Sequence, residues 1–237
     1  MELMEFLYRV MEELSNAGIP IVFKGAMILN LALRENNPSK VERLTRDIDG
    51  DWVGELPTMD EMESALRSAV KRVDASLDIR ANRIFGERKS AGFMIVSKNG
   101  EKVASIDLSV RQNQFCSPYI SYVNGISING ASLSKMLSDK IYAISGESVC
   151  RRMKDILDIY VLSFITEIKS GELFRIWKET DRILGDFEAY KTRISDLKEA
   201  YDKMKGIKNK PDFFEVYNRV NDVICKVYQR KDELINI

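Results

Sequence analysis

The octapeptide TRDIDGDW, residues 45–52, sets three aspartates at alternate positions in a strand-like run. Side chains of a strand alternate between faces, so Asp47, Asp49 and Asp51 point one way and Ile48, Gly50 and Trp52 the other. Carboxylates crowded on one face repel one another unless water or a cation screens them. Taken alone, the stretch fits two readings equally: an edge strand facing water, or a face that holds a metal.

Working outward, residues 2–16 carry Leu3, Phe6, Leu7, Val10, Met11 and Leu14 at helical spacing, and NAG then IP stop that helix before the short apolar run IVF. Gly25 turns this strand into a second helical stretch, AMILNLALRE, closed by the polar NNPSK. Beyond the opening strand, at about 47–53, the pattern predicts a helix over 59–74, β-like runs near 77–85, 91–97 and 102–110, and a last strand at 119–128. After NGISINGAS it becomes almost wholly helical, with segments at about 132–145, 149–169, 172–183, 186–205 and 211–230. The shift predicts an α/β domain over 1–130 and a helical domain over 131–237.

Composition narrows the chemistry. The 237 residues include 36 basic and 36 acidic side chains, so net charge gives no sign of a globally basic nucleic-acid binder, and any such surface must be local. There is no histidine, which excludes Ser/His and Cys/His nucleophilic pairs, the HExxH zinc site and an imidazole base. Catalysis would rest on carboxylates, lysine, tyrosine or a carboxylate-bound metal. Cys116, Cys150 and Cys225 have neither zinc-site spacing nor the density of a disulfide scaffold, and read as free thiols. The acidic start MELMEFLYRVMEELSNAG reads as a helix, not a signal peptide, and no apolar run reaches membrane-spanning length; the expectation is a cytoplasmic protein without membrane contact.

A second strand bears on the opening question. In VASIDLSV, Asp107 lies between Ser105 and Ser109 on one face, with Ala104, Ile106, Leu108 and Val110 on the other. If the two strands are neighbours in one sheet, Asp47, Asp49 and Asp107 converge where a hard divalent cation would find carboxylate oxygens. Such a set suits phosphoryl or nucleotidyl transfer. Three further features are ambiguous alone. Gly25, between strand and helix, is a plain turn or a place where helix N–H groups receive phosphate. Lys140 sits among Leu133, Met136, Leu137, Ala143 and Ile144 at helical spacing, and either snorkels to water or meets an anion. Arg151, Lys154, Asp155 and Asp158 share a helical stripe that is either a solvated face or part of a site.

Read in order, FKGAMIL (23–29), LTRDIDGDW (44–52), LSDKIYAI (137–144) and RRMKDILDIY (151–160) resemble the AbiEii toxins, nucleotidyltransferases of the DNA polymerase β-like superfamily. The family pattern is a strand ending in KGG or GS before a helix, an S/T-x-D-hydrophobic-D strand, a helical lysine, and R-x-K/R-D-x-x-D. The resemblance spans about residues 20–165. It implies an α+β fold: a nucleotidyltransferase-like mixed β-sheet with flanking helices, then a C-terminal helical domain bringing Lys140 and Asp155 to the cleft. It implies Asp47, Asp49 and Asp155 as catalytic, Asp47 and Asp49 as metal ligands with Asp107 as the superfamily's third carboxylate, and Lys24, Gly25, Arg46, Lys140 and Asp158 as nucleotide-binding. Asp51 becomes a solvent-side or supporting residue. The implied cofactor is Mg2+ or Mn2+, the implied substrates a nucleoside triphosphate and an acceptor such as tRNA or another RNA, and the implied partner an antitoxin. Arg34, Lys40, Arg43 and Arg46, with Arg151, Arg152 and Lys154, read as a basic rim or as ordinary surface. Ala26 and Met27 depart from the pattern, standing where the family has a second glycine or serine and often a hydroxyl. That departure keeps a non-catalytic nucleotide-binding module in view, beside a transferase acting on small antibiotic-like acceptors.

Overall fold

The computed structural model describes residues 1–34, 40–55, 57–83, 90–110 and 114–229. Along the chain run α1 (Leu3–Asn16), β1 (Ile21–Lys24), α2 (Gly25–Leu33), β2 (Glu42–Arg43), β3 (Asp47–Trp52), α3 (Met59–Val73), β4 (Asp78–Arg83), β5 (Ser90–Val96), β6 (Lys102–Val110), β7 (Cys116–Ile120) and β8 (Ser127–Ala131). The remainder is helical but for one short strand: α4 (Leu133–Ile144), a 3-10 turn at Val149–Arg151, α5 (Met153–Ile165), α6 (Ser170–Glu179), α7 (Glu188–Thr192), α8 (Ile194–Asp202), β9 (Ile207–Lys208) and α9 (Phe213–Gln229).

The chain divides into two compact units, Met1–Leu31 with Leu44–Ala131, and Ala32–Arg43 with the chain from Ser132 onward. The first is an α+β unit around a mixed seven-stranded sheet of order β4-β5-β6-β3-β1-β8-β7. Two pairings, β3 with β6 and β1 with β8, are parallel; the others are antiparallel. Ile48, Phe93, Ile106 and Leu108 are buried on the apolar side, and α1 and α3 pack on each other and on the sheet. The start of α3 follows from its sequence: Thr58 Oγ1 accepts from the Glu61 amide at 3.2 Å, and Glu61 Oε2 accepts from the Thr58 amide at 2.7 Å, a reciprocal cap.

In the second unit α5 is the central helix, packed against α4, α8 and α9. A helix covered on several sides is apolar nearly all round, as Ile156, Leu157, Ile159, Tyr160, Val161 and Leu162 make it. The segment before β3 belongs to this unit through the β2–β9 pair, where Arg43 stands opposite Ile207.

Several elements differ from the periodicity reading. The single strand expected over 119–128 is the hairpin β7–β8, because the chain reverses over Tyr122–Gly125, where the Gly125 amide donates to the Ser121 carbonyl at 3.0 Å and Gly125 takes φ +71°. The helix expected over 186–205 is broken into α7 and α8 at Arg193. All three cysteines are free. Among the described residues no helix is long and apolar enough to cross a membrane.

Candidate active site

Strand pairing lines up one residue from each of five strands across the polar face of the sheet. Lys24 stands opposite Asp49, Asp49 opposite Asp107, Asp107 opposite Gly92 and Gly92 opposite Arg83. Paired residues share a face, so β3 and β6 do bring Asp49 and Asp107 side by side. Asp47 and Asp51 flank the row, and each is held by a serine of β6: Ser105 Oγ donates to Asp47 Oδ1 at 2.5 Å and Ser109 Oγ to Asp51 Oδ1 at 2.5 Å.

The three aspartates of β3 have unlike surroundings. Asp47 and Asp49 are half-buried and Asp51 is buried. Asp51 is therefore not on the solvent side: Lys24 Nζ donates to it at 2.5 Å and to Ser109 Oγ at 2.9 Å, closing a triangle of two side chains around one cation. Lys24, expected on nucleotide, is in this state the counter-ion of Asp51. Asp107 accepts from Arg83 Nη2 at 2.7 Å. Arg46 is exposed, and its carbonyl accepts from the Ser105 amide at 2.9 Å, tying the approach to β3 onto β6.

Gly25 opens α2 directly after β1 with φ +71°, a conformation that L side chains resist. A Cβ at Gly25 would overlap the Asp49 Oδ2 position and lie 3.2 Å from its Cγ. The glycine thus leaves the space that the carboxylate occupies, and places Asp49 beside the amino end of a helix. Ala26 and Met27 are buried, with 4% and 0% of their surface exposed. Their side chains serve the core, so the departure from the family pattern changes packing.

The donor set suits a hard divalent ion. Among the described residues no group of three or more acidic, cysteine or histidine side chains forms a metal-holding cluster, consistent with Asp107 being engaged by Arg83. Asp47 and Asp49 lie on one strand face. Mg2+ commonly takes one or two protein carboxylates and completes its octahedron with substrate phosphates and water, so Asp47 and Asp49 fit it.

The helical unit holds its own charged cluster. Lys140 Nζ donates to Asp155 Oδ1 at 2.6 Å and lies 3.0 Å from Asp158 Oδ2. Asp158 is fully buried, and Arg43 Nη1 donates to both its oxygens, at 2.5 Å to Oδ1. Arg152 Nη1 stands 3.7 Å from Asp155 Oδ2. Burial alone would lower the Lys140 pKa, but the facing Asp158 and Asp155 outweigh it and hold the ammonium well above its ordinary value. The charged stripe read over 151–158 is thus split: Arg151, in the 3-10 turn, and Lys154, on α5, are exposed, whereas Asp158 lies in the interior. Arg43, read from sequence as a rim charge, is the partly buried partner of a residue 115 positions away. No local pattern announces that pairing.

Comparison with known proteins gives a family and a fold. The family model described as nucleotidyl transferase AbiEii toxin, type IV toxin–antitoxin system, matches residues 5–218. No curated protein matches the chain by sequence. Among solved structures, the nucleotidyltransferase toxin MenT4 of Mycobacterium tuberculosis superposes with a TM-score of 0.59 at 12% identity, over 99% of this chain and 90% of that one. JHP933 of Helicobacter pylori does so with a TM-score of 0.54 at 14% identity, over 98% of this chain and 94% of its own. At such identities the structural likeness speaks for the fold.

Proposed function

Because the chain belongs to the AbiEii family of nucleotidyltransferase toxins, and is on that ground a nucleotidyltransferase of a toxin–antitoxin system, we propose that it is metal-dependent and moves a nucleoside monophosphate from a nucleoside triphosphate to a hydroxyl of RNA, with tRNA the first acceptor to test. The observation that carries this reading is the seating of Asp49 against Gly25, with Asp47 on the same strand face. Asp47 and Asp49 would hold Mg2+ or Mn2+, which when bound neutralises phosphate charge and lowers the pKa of an attacking hydroxyl.

The protein's own groups set the geometry around that chemistry. Gly25 lets the first N–H groups of α2 approach a triphosphate closely, where the positive end of the helix favours anions. Ser105 orients Asp47 by donating to one oxygen, and the Lys24–Ser109 pair neutralises Asp51, so the β3 face carries less mutual repulsion than three bare carboxylates would. For the helical unit, the family pattern gives Lys140 the role of a phosphate-binding cation held ready by its carboxylates, and Asp155 that of the group that receives the acceptor proton. Asp158 and Arg43 support that pair. An antitoxin protein is the proposed partner, and the cytoplasm the proposed site of action.

Incubation with each labelled nucleoside triphosphate, magnesium and total RNA should transfer label to RNA. Asp49→Ala should lose it. Label on a small cationic molecule instead would favour the antibiotic-modifying type of transferase. Equal inactivity of wild type and Asp49→Ala with RNA, protein and small-molecule acceptors would overturn the reading.

A further inference from the structure

We propose that Asn82 and Arg83 form an anion-binding arm on the acceptor side of the sheet carboxylates, where they take a phosphate borne by the acceptor, and that Asp107 acts as a positioning residue for Arg83 instead of a metal ligand. This inference rests on the transferase reading above and goes beyond it by assigning the acceptor's side and its charge.

A local irregularity builds the arm. The β4–β5 register shifts between Ala81 and Arg83, so Asn82 is an extra residue and Arg83 still pairs with Gly92. Such a bulge turns successive side chains toward one face and re-aims them. Here both lie over Gly92: a Cβ on that glycine would stand 2.5 Å from Asn82 Oδ1, 3.3 Å from Arg83 Cβ and 3.2 Å from Asp107 Oδ1. Any larger residue at position 92 would displace the arm. Gly92 is thus the gap across which Arg83, on β4, reaches Asp107 on β6, two strands away.

Charge and direction give the arm its role. Arg83 and Asp107 have 53% and 41% of their side chains exposed, so solvent and ligands reach the pair. Asp107 accepts a bond from Arg83 Nη2, whereas a guanidinium has five N–H donors, so Arg83 can keep its carboxylate and bind an oxyanion together. A carboxylate committed to a guanidinium is a poor choice for a cation. In the transverse row, Lys24 stands at the β1 end, where the chain turns into α2 and Gly25 lies against Asp49, and Arg83 stands at the β4 end, with Asp107 and Gly92 between Asp49 and Arg83. Phosphoryl transfer keeps attacking and leaving oxygens roughly in line across phosphorus. With the leaving pyrophosphate at the α2 end, the attacking hydroxyl enters from the Arg83 end, and a phosphate next to that hydroxyl meets Asn82 and Arg83. A nucleic-acid end has this chemistry; a cationic small molecule does not.

The test reads binding, without turnover, in the full-length protein. Mn2+ affinity is measured by electron paramagnetic resonance with a non-hydrolysable triphosphate present, affinity for that analogue by calorimetry, and affinity for a short fluorescein-labelled single-stranded RNA by anisotropy. Arg83→Gln should weaken RNA about tenfold and Asp107→Asn about threefold, with Arg83→Lys intermediate because it keeps the charge and loses the fork. All three should hold Mn2+ and the analogue within about twofold of wild type, while Asp49→Asn loses Mn2+ by more than about tenfold. Loss of Mn2+ in Asp107→Asn comparable with that in Asp49→Asn would make Asp107 a ligand and overturn the proposal. So would weaker analogue binding in Arg83→Gln, which places the phosphate on the nucleotide, or RNA affinity indifferent to position 83, which points to another class of acceptor. Failure of the transferase reading itself would be seen separately, as wild type that labels no acceptor and Asp49→Asn that keeps Mn2+.

Discussion

Asp107 meets Arg83 on the sheet with 41% of its side chain exposed, whereas Asp158 meets Arg43 and Lys140 in the helical unit with none. The residue types are alike and the solvation is opposite. On the sheet, water screens the charges, so such a pair contributes at most about 1 kcal/mol and its members are available to ligands. Inside the helical unit, Asp158 has left water entirely and Arg43 and Lys140 largely so, and removing Asp158 leaves their charge without compensation. The comparison teaches that the exposed sheet pair adds little to stability, and that the Arg43–Asp158–Lys140 cluster is part of what keeps its unit folded.

Substitutions can break that contrast. The largest effect is expected at Asp158→Ala, which should reduce unfolding free energy by about 3–5 kcal/mol in urea denaturation, because Arg43 and Lys140 lose their buried counter-charge. Asp49→Ala should do the reverse, costing more than about a hundredfold in turnover, or about 2.7 kcal/mol of transition-state stabilisation, with the urea midpoint nearly unmoved. If Asp49→Ala unfolds the protein, or Asp158→Ala leaves its stability intact, the division between the two regions fails.

Gly25→Ala lies between these cases. Its positive φ imposes about 1–2 kcal/mol of strain on any side chain, and the new methyl competes with the Asp49 carboxylate, so stability and turnover should fall together. Alkaline unfolding sharpens the picture of the helical cluster. Lys140 is held above its ordinary value of 10.5, so its ion pairs contribute fully below that pH, and stability declines as pH rises through the higher folded value. Lys140→Met should flatten that alkaline limb in pH-dependent denaturation. The smallest effect belongs to Arg83→Gln, expected to shift unfolding free energy by less than about 1 kcal/mol.

Much of the framework was legible from local pattern. Period-two alternation placed Asp47, Asp49 and Asp51 on one face, helical spacing found α1 and α3, and the order of motifs from Gly25 to Asp158 pointed to the family. The hairpin at Asn124-Gly125 was hidden because its flanks, SPYISYV and ISINGAS, read as one apolar run unless the turn signal is weighted. The β2–β9 pair was beyond reach, since two-residue strands carry no period and their partners lie far apart in the chain. Of the site, the carboxylates were visible and their counter-ions were not: Lys24 for Asp51, Arg83 for Asp107 and Arg43 for Asp158 each depend on who sits beside whom.

What the sequence by itself determined is the alternation and periodicity of each segment, because backbone geometry repeats over two residues in a strand and about 3.6 in a helix, whatever surrounds it. It therefore settled which aspartates share a face and, through motif order, which family the chain resembles. Only the tertiary structure decided which charges neutralise one another and which stay open to a ligand. Strand register, the bulge at Asn82 and the depth of α5 arise from contacts between distant parts of the chain, and an ion pair or a hydrogen bond acts over a few ångströms of space, however many residues separate its partners.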